Sequence, residues 1–150
     1  MGLIVKGLKG VMARISRSEK RVMDGSLSAL RAMAELVATE ARLNAPVDTG
    51  ELENAISTIE DRTRNSKGQF GQVTIRVGVD TSKLKLEDHK GYDYSIPMHE
   101  GTYNLGPKSQ AKQDAQGNIV GPKYLERALR DNEKKVKDSV AKAVEQGAKG

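Results

Sequence analysis

From Met23 onward, apolar residues recur at alternating steps of four and three: Met23, Leu27, Leu30, Ala34, Val37 and Ala41. Helical geometry lines such positions up as one stripe. The pattern predicts a long amphipathic helix over about residues 18–44, and the rest of the chain must supply something for that stripe to pack on. The stop is written in Asn44-Ala45-Pro46. Proline lacks the backbone donor that another turn needs, and it drives the preceding residue out of the α region. The start is less marked: Ser18 with Arg21 makes no capping box, and Asp24-Gly25 is a candidate early bend or break.

A second stripe of Leu125, Leu129, Val136, Val140 and Val144 follows Pro122 and predicts a C-terminal helix over about residues 123–146, ended by Gly147 and Gly150. Between the helices, Leu52, Ile56 and Ile59 lead into a first strand at about 53–62, and Asn65-Ser66-Lys67-Gly68 has hairpin-loop chemistry. Val73-Thr74-Ile75-Arg76-Val77-Gly78-Val79 alternates and is rich in β-branched residues, which marks a strand. Residues 80–91 read as loop, Tyr92 to His99 is apolar in patches with Pro97 inside it, and 103–121 reads as a long loop. Residues 1–17 form a basic N-terminal arm. The expectation is one α+β domain over 1–150: an antiparallel sheet of about three or four strands, with both long helices on one face.

Aromatic residues bring the largest burial per side chain, and here there are one Phe, four Tyr and no Trp. The core must be aliphatic and thin, which suggests that neighbours supply part of the stability. The absence of Cys excludes disulfides and thiolate metal sites. No apolar run approaches the roughly 20 residues of a membrane span, and charge interrupts the opening apolar stretch, so no membrane partner is expected.

The net charge of +5 is unevenly placed. Residues 1–21 carry Lys6, Lys9, Arg14, Arg17, Lys20 and Arg21 against the single acid Glu19, while the middle of the chain is net acidic. The six bases are candidates for contact with a polyanion. That segment has no aromatic residue for base stacking, so any DNA contact would be to phosphates and non-specific. An accessory packaging protein that binds DNA in this way is the alternative reading.

Catalysis needs a nucleophile, base or metal in mutual reach. The two histidines, His89 and His99, lie in different segments, and His99-Glu100 are adjacent, so an extended backbone would point them to opposite faces. Gly106-Pro107-Lys108-Ser109 is only a fragment of a phosphate loop, with proline where a donor is needed. The expectation is no enzyme, no cofactor and no metal.

Three segments carry a resemblance: Ala45-Pro46-Val47-Asp48-Thr49-Gly50-Glu51-Leu52 after the long helix; Tyr92-Asp93-Tyr94-Ser95-Ile96-Pro97-Met98-His99-Glu100-Gly101-Thr102; and Gly121-Pro122-Lys123-Tyr124-Leu125-Glu126-Arg127-Ala128-Leu129. In this order the chain, over about 20–145, resembles the head–tail joining or tail-completion (neck) proteins of tailed bacteriophages. It departs from their pattern at Ala55, where Ser is usual, and at Pro97, where an apolar or aromatic residue is usual.

The resemblance implies a structural virion protein, assembled in the bacterial host cytoplasm and forming a ring between the DNA-filled head and the tail. A hexamer is preferred to twelve copies, with other neck, connector and tail-tube proteins as partners. The shared residues then have architectural roles. Pro46 stops the helix; Asp48, Thr49 and Gly50 reverse the chain, bonding their own backbone; Leu52 returns along the sheet. Glu100 and Thr102 satisfy backbone donors around Gly101, with Tyr94 and His99 in the same motif. Pro122 starts the last helix, which Tyr124 and Leu125 pin against the sheet.

Overall fold

A computed structural model describes residues 20–64 and 70–149. The chain forms α1 (Lys20–Asn44), a short α2 (Glu51–Ala55), strands β1 (Ile56–Arg64) and β2 (Phe70–Val79), two 3-10 turns at Thr81–Lys83 and Leu86–His89, then α3 (Ser95–Glu100), α4 (Pro107–Gln116) and α5 (Tyr124–Lys149). The basic arm 1–17 and the hairpin-loop residues 65–68 lie outside the described residues.

The two long helices lie side by side and antiparallel. Gly25 faces Ala143 near one end of the pair, and Asn132 Nδ2 donates to Glu40 Oε2 at 2.8 Å toward the other. The expected α1 stripe is the buried one: Leu30, Ala34, Val37 and Ala41 are all 8% exposed or less. Leu125, Val136 and Val140 meet them from α5. Small residues let the backbones approach, which explains why Asp24-Gly25 does not break α1. It also explains Gly147, which continues α5 instead of ending it: a Cβ there would sit 2.8 Å from Val22 Cα.

The sheet is a two-stranded antiparallel hairpin, with Ile56 opposite Val79 and Glu60 opposite Ile75. Among the described residues there are two strands where three or four were expected, and the patchily apolar stretch Tyr92 to His99 runs into α3. β2 points Ile75, Val77 and Val79 at the helices, each 4% exposed. On the same face β1 offers Ile56, Thr58 and Glu60, and α1 answers their polarity. Thr58 Oγ1 donates to Glu35 at 2.7 Å, and Arg31 grips Glu60 through Nε and NH2 at 2.7 and 2.9 Å. An isolated hairpin is marginal in water, so this packing is what holds it.

Three further boundaries differ from the sequence expectation. β1 begins at Ile56, because Glu51–Ala55 takes one helical turn first. The expected loop at 80–91 holds the two 3-10 turns. The expected loop 103–121 contains α4, a ten-residue helix with Pro107 at its first turn and Gly117 in the left-handed conformation at its end.

Candidate functional site

The three motif segments, remote in sequence, converge at one end of the helix pair. The first follows α1. Its helix ends at Asn44, as Pro46 requires, and the chain bends through Asp48 and Thr49 to Gly50, whose φ of 87° favours glycine. Leu52 (5% exposed) then enters the core from α2 and not along the sheet. Asp48 and Thr49 are both exposed. Thr49 Oγ1 accepts from Glu51 N at 3.5 Å, but the Asp48 carboxylate is met by Lys108 rather than by its own backbone.

α4 clasps this turn with one polar face. Lys108 Nζ donates to Asp48 O at 2.7 Å, and Ser109 Oγ accepts from Val47 N at 2.8 Å and donates to Val47 O at 3.0 Å. Lys112 Nζ donates to Arg42 O at 2.6 Å and Ala45 O at 2.8 Å and pairs with Glu53. Gln116 Nε2 donates to Leu43 O at 2.5 Å. The carbonyls at the end of α1, which have no partner within the helix, are therefore capped by side chains 67–73 positions away.

The second and third motifs meet on a buried histidine. His99 is 2% exposed, and its ring stands edge-on to that of Tyr124 at 4.9 Å between centroids. α3 is helical, not extended, so His99 Nδ1 lies 2.8 Å from Glu100 Oε1. The second Glu100 oxygen pairs with Lys123, whose own N–H donates to His99 O at 2.7 Å. Glu100 therefore binds two side chains and not the backbone donors expected of it, and Thr102 is exposed. Gly101 is needed for closeness: a Cβ would fall 2.5 Å from Pro97 O.

Lys123 sits at φ 58°, a conformation that costs a non-glycine residue energy. Its bonds to His99 O and Glu100 hold it there, directly after Pro122 and ahead of α5. Tyr124 and Leu125 are fully buried as expected, but Tyr124 pins α5 to α3 and not to the sheet, since its hydroxyl donates to Ser95 O at 3.2 Å.

Burial pushes the His99 imidazole below its ordinary pKa, with the neighbouring Glu100 opposing. Glu100 is itself lowered, first by Lys123 and then by His99. Tyr94 links the first and second motifs: its hydroxyl donates to Glu51 Oε2 at 3.3 Å, and burial with the adjacent carboxylate pushes it up to about 12. Gly121 N donates to Asn44 O at 2.9 Å and closes the ring of contacts between the third motif and the first. Among the described residues, no group of three or more His, Asp or Glu is placed to hold a metal ion.

Of the proposed polyanion contacts, Lys6, Lys9, Arg14 and Arg17 lie outside the described residues, while Lys20 and Arg21 open α1. Sequence reasoning missed Lys112, Ser109, Gln116 and also Arg127, whose guanidinium donates to Ile119 O at 2.6 Å and Pro122 O at 3.0 Å. A signal for α4 did exist: Pro107 and Gly117 bracket a run free of β-branched residues. Without an apolar stripe, that run gave no helical periodicity.

Residues 9–94 match the model of a family described as "Bacteriophage HK97-gp10, putative tail-component". The match takes in α1, the whole first motif, the hairpin and the second motif as far as Tyr94. No curated protein and no solved structure matches the chain.

Proposed function

The chain belongs to the HK97-gp10-like family of bacteriophage tail components, and from that premise we propose that it joins the DNA-filled head to the tail as a ring in the neck of the virion. It acts there by shape, without catalysis, in six copies rather than twelve, against connector and tail-tube proteins. The observation that carries the reading is the family match across α1, the turn and the hairpin. The convergence of all three motifs supports it, because their polar groups are spent on fixing the relative positions of α1, α3, α4 and α5. Rigid geometry of that kind is what a joining piece must offer its neighbours.

The test is to produce particles without this chain and image them. Filled heads and free tails that fail to join, rescued by adding the purified protein, are expected. Normally joined virions would overturn the assignment. Cross-linking of mature particles should give a ladder ending at a multiple of six, and a ladder that stops at dimer excludes the ring.

A further inference from the structure

α1 and α5 are held by buried apolar stripes, among them Leu30, Val37, Leu125 and Val136. α4 is held differently. Its ten residues include no large apolar side chain, and its one buried residue is Ser109. Every tie to the first motif is a polar side chain: Lys108, Ser109, Lys112 and Gln116 bond the turn or the end of α1. The side chain of Lys108 is 66% exposed and that of its partner Asp48 88%.

The chain on either side of α4 is anchored, while the two ends of the helix have room to turn. Before α4, the Tyr103 hydroxyl donates to Met98 O at 2.7 Å. After it, Val120 is buried and Gly121 N donates to Asn44 O at 2.9 Å. Between these anchors stand Gly106 and Gly117, where a Cβ would meet nothing within 4 Å. Glycine has the widest choice of backbone angles, so both can serve as hinges.

A helix shorter than about 12–15 residues is marginal in water on its own, so α4 unwinds once its side-chain bonds let go. That step exposes little apolar surface, because α4 buries little. Segments with few buried apolar contacts are the ones that open locally, at a free energy well below that of global unfolding.

We propose that α4 is a releasable clasp, which opens and unwinds as a unit between Gly106 and Gly117 while α1, the hairpin and α5 stay folded. Release uncovers the carbonyls of Arg42, Leu43, Ala45 and Val47 and the carboxylate of Glu53. That surface is rich in acceptors and is held until then by α4's own polar side chains. The release is a property of the isolated chain and is independent of the virion assignment.

Hydrogen exchange of the purified wild type across low urea concentrations reads the opening directly. The amides from Gln110 to Gly117, bonded within α4 and at its end, should be at least about 100-fold less protected than those of Ala34, Val37, Ala128 and Val136. Their protection should also fall less steeply with urea, since the slope follows the surface exposed.

A lock gives the second measurement. The chain has no Cys, and Ser109 Oγ bonds both N and O of Val47, so Val47→Cys with Ser109→Cys offers a single possible bridge across residues already in contact. When the bridge is formed, the α4 amides should slow to the rate of the buried helices, and reduction should speed them again. Wild-type α4 amides with the same protection and the same urea slope as α1 and α5 overturn the proposal, whether or not the bridge forms. A bridged protein, verified by mass, whose α4 exchanges as fast as its reduced form overturns it as well.

Discussion

Lys112→Met should be the most costly single polar change among the α4 residues that clasp the first motif. The ammonium group bonds Arg42 O and Ala45 O and pairs with Glu53, and its side chain is only 15% exposed. Methionine keeps much of the aliphatic stem but leaves two carbonyls at the end of α1 uncapped and Glu53 without its cation. Hydrogen bonds to a charged group contribute about 1.5–3 kcal/mol each, and breaking a buried ion pair costs about 3–5 kcal/mol. Glu53 is 29% exposed and the freed carbonyls recover some solvation, so the net loss should be about 2–4 kcal/mol.

Lys108→Met is the comparison. Lys108 also bonds the turn, but it and Asp48 are 66% and 88% exposed, and exposed pairs contribute about 0–1 kcal/mol. Urea unfolding resolves the two. At an m-value of about 2 kcal/mol/M, the Lys112 variant should unfold about 1–2 M earlier than wild type and the Lys108 variant within about 0.5 M of it. Equal midpoints for the two variants would refute the claim that the α1 carbonyls depend on Lys112.

Tyr124→Phe should cost about 0.5–1.5 kcal/mol, because the buried bond from its hydroxyl to Ser95 O is lost while that carbonyl keeps its place in the α3 ladder; a melting temperature unchanged from wild type would show that the bond is dispensable. Burial lowers the folded-state pKa of His99, so the unfolded chain binds the proton more readily. Its stabilising contribution is therefore full above the unfolded value of about 6.5 and is lost as pH falls below it, and His99→Gln should flatten that part of the stability–pH curve. Gly147→Ala would gain about 1 kcal/mol at an open helix position, but here the new Cβ meets Val22 Cα at 2.8 Å; a net loss is expected, and a higher melting temperature would count against the close helix crossing.

What the sequence determined by itself was local. The stripes of α1 and α5 and the alternation of β2 follow from periods of 3.6 and 2, which a short window reveals whatever the rest of the chain does. The stop at Pro46 needs only the missing N–H and the ring. Leu125 is buried as part of the α5 stripe.

What only the tertiary structure decided involves partners far away in the chain. α4 has no apolar stripe and owes its place to Lys108, Ser109, Lys112 and Gln116 reaching carbonyls and a turn 60–73 residues earlier. His99 and Glu100 touch because α3 is helical, and Lys123 from the third motif completes the contact. Gly25 and Gly147 looked like interruptions because helix propensity disfavours glycine, yet the close crossing of α1 and α5 demands a missing side chain at Gly147. The number of strands was the hardest to read. Local pattern marks a segment as extended, but whether a sheet closes at two strands depends on which edges find a partner, within the chain or beyond it.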